Sequence, residues 1–273
     1  MRDRQSRQGQ RQTAKDRRRT WRQINIKIDT DVPEAAIVLA AGLGLRMRPL
    51  TETTPKPLLK IADRPILFHI LDRLLVTGVK RIVVNAHHLA EQIEAALATY
   101  RQDTGRTVDI HFSDESERLL DSGGGVKAAL SHLGDEPFYI INGDSLWDDG
   151  VGDTLKRLAH SWRRGSADQM QALLLMIASV HAQGYRGRGD FHMDPDGRLT
   201  RRQEHELAPF VFGGVQILSP GLFDATPDTP FSLNRIFNEA IEHETLFGQR
   251  HDGTWYHVST PSDLERTQAL WRT

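Results

Sequence analysis

From about residue 34 onward, apolar positions fall into short blocks that alternate between two periods. The run AAIVLAAG (35–42) is continuous and ends in glycine, the pattern of a strand covered on both faces. PILFHILDRLLVTG (65–78) instead sets Ile66, Leu67, Ile70, Leu71, Leu74 and Leu75 on one helical face, with Pro65 near its start and Gly78 at its end. Strands over 80–88, 107–114 and 137–145 then alternate with helices over 90–100 and 126–134. This rhythm predicts an α/β fold, a mixed but mainly parallel sheet with helices on both faces. Ligands of such sheets bind beyond the carboxyl ends of the strands. The polar groups Gly42 to Arg46, Asn85 to His88 and Asn142 to Asp144 all fall at those ends.

The second half has a different texture. Strands are predicted over 170–179 and 210–218, a hairpin over 190–202 turning at Asp194–Gly197, and helices over 233–244 and 262–271. The pattern shows no internal repeat and no long linker, so residues 31–273 read as a single domain behind a tail of residues 1–30.

Composition narrows the setting. Apolar residues make up 38 % of the 273 positions, ordinary for a globular protein. The absence of cysteine rules out disulfides and thiolate metal sites and agrees with a reducing cytoplasm. No window approaches eighteen consecutive apolar residues, so no membrane span is expected. The net charge of −1 conceals an asymmetry: residues 1–27 carry ten Lys or Arg against two Asp, and the remainder has 25 basic and 34 acidic residues. Such a tail can grip RNA or an anionic surface. Its almost unbroken polarity favours a solvated, disordered extension, and a nucleic-acid role rests on it alone.

The densest chemistry lies in VLAAGLGLRMRPLTETTPKPLL (38–59). A glycine-rich loop after a strand exposes backbone N–H groups to a phosphate. No Gly-x-x-x-x-Gly-Lys-Ser/Thr string occurs in the chain, and Gly42-Leu43-Gly44-Leu45-Arg46-Met47 lacks the third glycine of a dinucleotide fingerprint. What remains is a tight loop followed by Arg46, whose planar fork suits phosphate oxygens, and by Lys56, a point charge between Pro55 and Pro57.

LAAGLGLRMRPLTETTPKPLL resembles the signature of the sugar-1-phosphate nucleotidyltransferases. VNAHHLAEQIEAAL (84–97), DSGGGVKAAL (121–130), INGDSLWDD (141–149), GRGDF (187–191), FVFGGVQIL (210–218), FSLN (231–234) and WYHVSTPSDL (255–264) follow in the family's order. Within the family the likeness is to the N-acetylmuramate-1-phosphate uridylyltransferase branch of cell-wall sugar recycling, with mannose-1-phosphate guanylyltransferases next. The resemblance implies a Rossmann-like nucleotide-diphospho-sugar transferase fold, with residues 31–150 as the nucleotide half and 151–273 as the sugar half. It implies a nucleoside triphosphate, UTP first, and a sugar-1-phosphate as partners, with no membrane. Ala40, Ala41, Gly42 and Gly44 would cradle the nucleotide, Arg46 would hold its β and γ phosphates, and Lys56 would bridge the α-phosphate and the sugar phosphate. Gly123 and Gly124 would approach the base, Asp190 and Gly214 the sugar, and Asp144 a metal ion, Mg²⁺ in the family.

Structural alternatives stand beside several of these roles. Glycines 123–125 could cap a strand ahead of the helix, Asp144 could cap a turn, and Asp190 could open the hairpin. His87 and His88 read as polar loop residues, and Asp148 and Asp149 as solvated ones. The chain also departs from the family pattern. His257 stands where a second metal-binding aspartate is expected, and Ser259 replaces a glycine. Imidazole suits softer ions than Mg²⁺, so His257 predicts an unusual preference for Mn²⁺ or Co²⁺. The same departures motivate the rival expectation of a nucleotide- or sugar-sensing pseudoenzyme.

Overall fold

The computed structural model describes residues 32–104, 109–165 and 169–271. The basic tail lies outside these residues, and with it the expectation of disorder there.

The chain opens with β1 (Ala35–Leu39), then passes through three single 3-10 turns and a small hairpin of β2 (Lys60–Ile61) and β3 (Arg64–Pro65). Helix α1 (Ile66–Thr77) follows. Pro65 caps its start, where a missing N–H costs nothing. Gly78 ends it in the left-handed region, its N–H on the carbonyls of Leu74 and Leu75. Next come β4 (Arg81–Ala86), α2 (Ala90–Thr104), β5 (Asp109–Asp114), α3 (Asp121–Leu133) and β6 (Phe138–Asn142). The second half comprises β7 (Leu146–Asp148), α4 (Thr154–Arg164), β8 (Ala172–Ala178), β9 (Ala182–Gln183), β10 (Phe191–Met193), β11 (Leu199–Arg201) and β12 (Phe210–Leu218). It closes with α5 (Leu233–Glu242), β13 (Leu246–Arg250), β14 (Thr254–Tyr256) and α6 (Pro261–Leu270).

Among the described residues nine strands form one sheet in the order β11-β10-β12-β6-β1-β4-β5, with β8 joined to β12 and β13 to β8. The run from β6 through β1 and β4 to β5 is parallel. Where β12 meets β6 the direction reverses, and β8 and β10 also lie antiparallel to β12. Both faces of the sheet are covered. On β1, Ala36 and Val38 pack into the layer containing Ile70 of α1, Leu97 of α2 and Leu158 of α4. Ala35 and Ile37 pack into the opposite layer with Val126 of α3 and Ile236 of α5. Each such fully covered Leu or Ile contributes about 1.5–3 kcal/mol. The expected mixed, mainly parallel α/β architecture is therefore the observed one. Among the described residues no helix is long and apolar enough to cross a membrane.

Three details differ from the sequence pattern. Helix α3 starts at Asp121, five residues before the predicted start, and takes the three glycines inside it. Asp148 and Asp149 are not merely solvated: Asp148 Oδ2 accepts from the Tyr256 hydroxyl at 2.6 Å, and Asp149 accepts from Thr154 N–H at 3.0 Å and from Arg73 at 2.8 Å. β12 carries an irregularity between Phe212 and Gln216, which aims the Gly213 carbonyl at Ser145 Oγ and Trp255 Nε1, 3.1 and 3.0 Å away. The hairpin turn at Asp194–Gly197 forms as expected, with Gly197 N–H on the Asp194 carbonyl at 3.1 Å.

Candidate active site

A cleft of about 740 Å³ opens beyond the carboxyl ends of β1, β4 and β6. One wall is the loop after β1, in which Ala40, Ala41, Gly42, Gly44 and Arg46 all border the cleft. The shape of the loop is fixed from behind. Gly44 sits at φ 60°, and a Cβ there would lie 2.9 Å from Thr51 Cγ2, so the left-handed turn and the buried threonine together require glycine. Thr51 Oγ1 donates to the Gly44 carbonyl at 2.8 Å, and His88 Nε2 meets the Thr51 carbonyl at 2.8 Å. His88 thus supports the loop rather than entering the cleft.

The two cations behave differently. Arg46 is exposed at the cleft mouth and forms no ion pair among the described residues, which leaves its fork open to an anion. Lys56 is held between Pro55 and Pro57, with its side chain only 11 % exposed and its Nζ 2.5 Å from Asp144 Oδ2. Asp144 follows β6 directly, positioned by Gly143, whose N–H donates to the Leu39 carbonyl at 2.8 Å. Strand pairing between β1 and β6 thus brings a lysine and an aspartate 88 residues apart to the same wall.

A second cavity of about 210 Å³ adjoins the first and shares Arg46, Lys56, Asn142, Asp144 and Ser259 with it. Asp190, Gly214 and His257 border this cavity, together with Tyr185 and Trp255. Asp190 Oδ2 accepts from the Phe212 N–H at 2.9 Å, which anchors β12 beside the irregularity containing Gly214. The His257 ring lies 5.7 Å from Tyr185 and 5.6 Å from Trp255, centre to centre. Burial pushes its pKa down, and the nearby charges of Lys56 and Arg46 add to this, against the opposing pull of Asp263 and Asp144. A lowered imidazole pKa favours the neutral ring, the form that can ligate a metal.

A divalent ion accords with this donor set in one particular way. Among the described residues no three His, Cys, Asp or Glu side chains gather as a ready cluster. Asp144 nevertheless presents a 40 % exposed carboxylate to both cavities, and His257 borders the smaller one. Mg²⁺-type sites commonly use one or two carboxylates and take the rest from phosphate and water. Asp144, with His257 as a second donor, would hold such an ion.

The structure thus brings Ala40, Ala41, Gly42, Gly44, Arg46, Lys56 and Asp144 to the large cleft and Asp190, Gly214 and His257 to its neighbour. Gly123 and Gly124 do not border the cleft. They lie in the first turn of α3, where both amides donate to the Phe231 carbonyl at 2.8 and 3.1 Å. Leu119, Asp121 and Ser122 from the same region, with Pro230, line the cleft in their place. Asn85 and Asn142, polar residues that the sequence places at strand ends without giving either a role, also border the cleft.

Comparison with known proteins agrees with this geometry. The family profile described as nucleotidyl transferase matches residues 35–185. The N-acetylmuramate alpha-1-phosphate uridylyltransferase of Caulobacter vibrioides is 36 % identical over 85 % of this chain and 94 % of its own length. The protein of the same name from Neisseria meningitidis serogroup B is 34 % identical over 86 % of this chain and 97 % of its own. Among solved structures, UDP-glucose pyrophosphorylase complexed with UDP-glucose superposes with a TM-score of 0.70 at 15 % identity, covering 87 % of this chain and 97 % of that one, a likeness of fold.

Proposed function

The chain belongs to the nucleotidyl transferase family, and from that premise we propose that it transfers the uridylyl group of UTP to N-acetylmuramate α-1-phosphate, yielding the UDP-sugar and pyrophosphate. The observation that carries this reading is the wall common to the two cavities, where Arg46 and Lys56 stand between a nucleotide-sized cleft and a sugar-sized one. Two relatives of that name, similar along most of their length, support the choice of base and sugar.

In this reaction an oxygen of the sugar phosphate attacks the α-phosphorus of UTP, and the bond from that phosphorus to the bridging oxygen breaks, with the electron pair leaving on pyrophosphate. The attacking phosphate is already anionic, so the site needs no general base, and none of its residues is assigned that role. Positioning and charge neutralisation supply the catalysis. Lys56 neutralises the α-phosphate between donor and acceptor, and Arg46 takes the β and γ phosphates. The backbone of residues 40–44 cradles the nucleotide, while Asp190 and the turn at Gly214 face the sugar. A divalent ion, when bound at Asp144 and His257, supplies further positive charge to the phosphates. Under this reading residues 31–150 carry most of the nucleotide site and 151–273 the sugar site, with Pro230 and Ser259 crossing over to the nucleotide cleft. A cytoplasmic site of action follows from the substrate and agrees with the cysteine-free sequence.

The deciding experiment is pyrophosphate release from UTP, GTP, CTP, dTTP and ATP, each against N-acetylmuramate-, N-acetylglucosamine-, mannose- and glucose-1-phosphate. UTP with N-acetylmuramate-1-phosphate is expected to dominate. Silence across the matrix with nucleotide binding intact would replace catalysis by sensing. Run with Mg²⁺, Mn²⁺ and Co²⁺ in turn, the same assay is expected to rank Mn²⁺ or Co²⁺ unusually high, and His257→Asp to move the ranking toward Mg²⁺. A ranking unchanged by that substitution removes His257 from the metal.

A further inference from the structure

Two buried side chains, Asn85 at the cleft wall and Glu115 behind it, carry more information than their burial alone. Asn85, at the end of β4, is 2 % exposed, and Glu115, just beyond β5, is 4 % exposed. The Ala40 N–H, where the cleft loop leaves β1, donates to Asn85 Oδ1 at 2.8 Å. Asn85 Nδ2 donates to Glu115 Oε1 at 2.7 Å, and Leu120 N–H donates to Glu115 Oε2 at 3.2 Å. The backbone of Glu115 is pinned as well, its N–H on the Ala86 carbonyl at 2.8 Å and its carbonyl beside His87 Nδ1 at 2.7 Å. Room for the relay is made by the third glycine of the run at 123–125, because a Cβ on Gly125 would fall 2.6 Å from both Asn85 Nδ2 and Glu115 Oε1.

An ionised carboxylate only accepts hydrogen bonds, whereas a primary amide does both. Facing Glu115, Asn85 must therefore present its NH₂ to the carboxylate and its oxygen to Ala40. We propose that Glu115 is a positioning residue for the nucleotide: its acceptor-only carboxylate fixes the orientation of the Asn85 amide, and this relay locks the loop after β1 to the segment before α3 across the cleft. The relay reaches both sides of the cleft, since Ala40 borders one wall and Leu119 and Asp121, either side of Leu120, border the other. Neither Asn85 nor Glu115 is assigned any contact with the reacting atoms.

The proposal rests on the nucleotidyl transfer reading only for its kinetic consequence, and its test separates the two. In Glu115→Gln the new amide cannot accept from both Asn85 and Leu120, so one buried donor loses its partner whichever way the amide turns. In Asn85→Asp two carboxylates face each other. In the double variant, Glu115→Gln with Asn85→Asp, every donor again meets an acceptor with the polarity reversed: Gln donates to Asp and accepts from Leu120, and Asp accepts from Ala40. The first readout is hydrogen exchange of the Ala40 amide in the ligand-free protein, the second the steady-state constants for UTP and for the sugar phosphate.

Each single variant is expected to speed Ala40 exchange and to raise the KM for UTP about tenfold, Glu115→Gln through one unpaired buried donor and Asn85→Asp through repulsion between two buried carboxylates. For Glu115→Gln the sugar-phosphate KM and kcat should stay within about twofold, and the double variant should return close to wild type in both readouts. A double variant no better than the worse single one, or single variants that leave both readouts unchanged, overturns the proposal. If a single variant does not fold, comparison of the double variant with wild type still decides. If the wild-type protein releases no pyrophosphate, the exchange readout alone judges the relay, and the function fails separately.

Discussion

Lys56 owes its place both to its backbone and to a nearly buried side chain. Pro55 and Pro57 limit its conformations, and Asp144 receives its ammonium at 2.5 Å. Lys56→Ala should therefore lower kcat by at least about a hundredfold, the scale of losing one charge at the transferring phosphoryl group. Lys56→Arg should recover little, because a flat guanidinium does not substitute for a compact ammonium. Steady-state pyrophosphate assays on both variants check this pair of outcomes. At Gly44 the expected effect is on stability. Alanine at φ 60° costs about 1–2 kcal/mol in the backbone alone. Its Cβ must also displace Thr51 Cγ2, so Gly44→Ala should lower the melting temperature and weaken UTP binding together. At this scale the placement of the cations, the loop glycines and Asp144 at one cleft is legible in the sequence, since charge beside a strand end has few structural uses. Gly123 and Gly124 lie away from the cleft for a physical reason. A glycine pair that lets a base approach and one that lets Phe231 approach look the same in sequence, and here the neighbour is Phe231.

The same phenylalanine explains why α3 begins early. The first amides of a helix have no partner within it, and the Phe231 carbonyl accepts from two of them. A helix capped from 108 residues away leaves no local start signal, so the pattern placed its beginning at Val126. Helix α4 lies outside the predicted elements, although Asp153 ahead of Leu155, Leu158, Ala159 and Trp162 at helical spacing signals it, and its start is well anchored. Asp153 accepts from Lys156 N–H at 3.0 Å, and Asp149 joins Thr154 N–H to the Arg73 guanidinium. Burial alone would raise the Asp149 pKa, but the hydrogen bonds from Thr154 and the charge of Arg73 outweigh it and hold the carboxyl below its ordinary range. A carboxylate with a depressed native pKa stabilises the fold fully above the unfolded value of 3.8, and that contribution vanishes as the pH falls through the native value. The stability difference between wild type and Asp149→Asn should thus be flat from about pH 5 to 8 and shrink below pH 3.8, as followed by urea unfolding at each pH.

Across the whole molecule the two halves differ in how much their sequence announces. The strands β1, β4 and β6 are buried on both faces, and their continuous apolar runs stand out. Among the described residues the short strands β7, β14 and β9 form a separate sheet in that order, through Trp255 opposite Trp147 and beside Ala182, so their partners come from distant sequence. Pieces of two or three residues carry too little periodicity to be seen locally. The segment at Pro230 and Phe231 then links the halves, because Pro230 lines the nucleotide cleft while Phe231 packs on α3. Phe231→Ala removes a ring that is 9 % exposed and should cost about 3–5 kcal/mol of stability while raising the KM for UTP. Thermal unfolding and UTP kinetics on that one variant test both effects.

The wall shared by the large and small cavities also bears on turnover. A molecule in which nucleotide and sugar are covalently joined spans both chambers, and once one end is seated the other is presented at an effective concentration of about millimolar or more. Under the proposed reaction such a molecule is the UDP-sugar product itself. It should hold the enzyme more tightly than either substrate does alone, competing with both, so that the rate slackens as product accumulates and recovers when a later step consumes it. Under that reaction the five residues that line both cavities would let the product restrain its own formation.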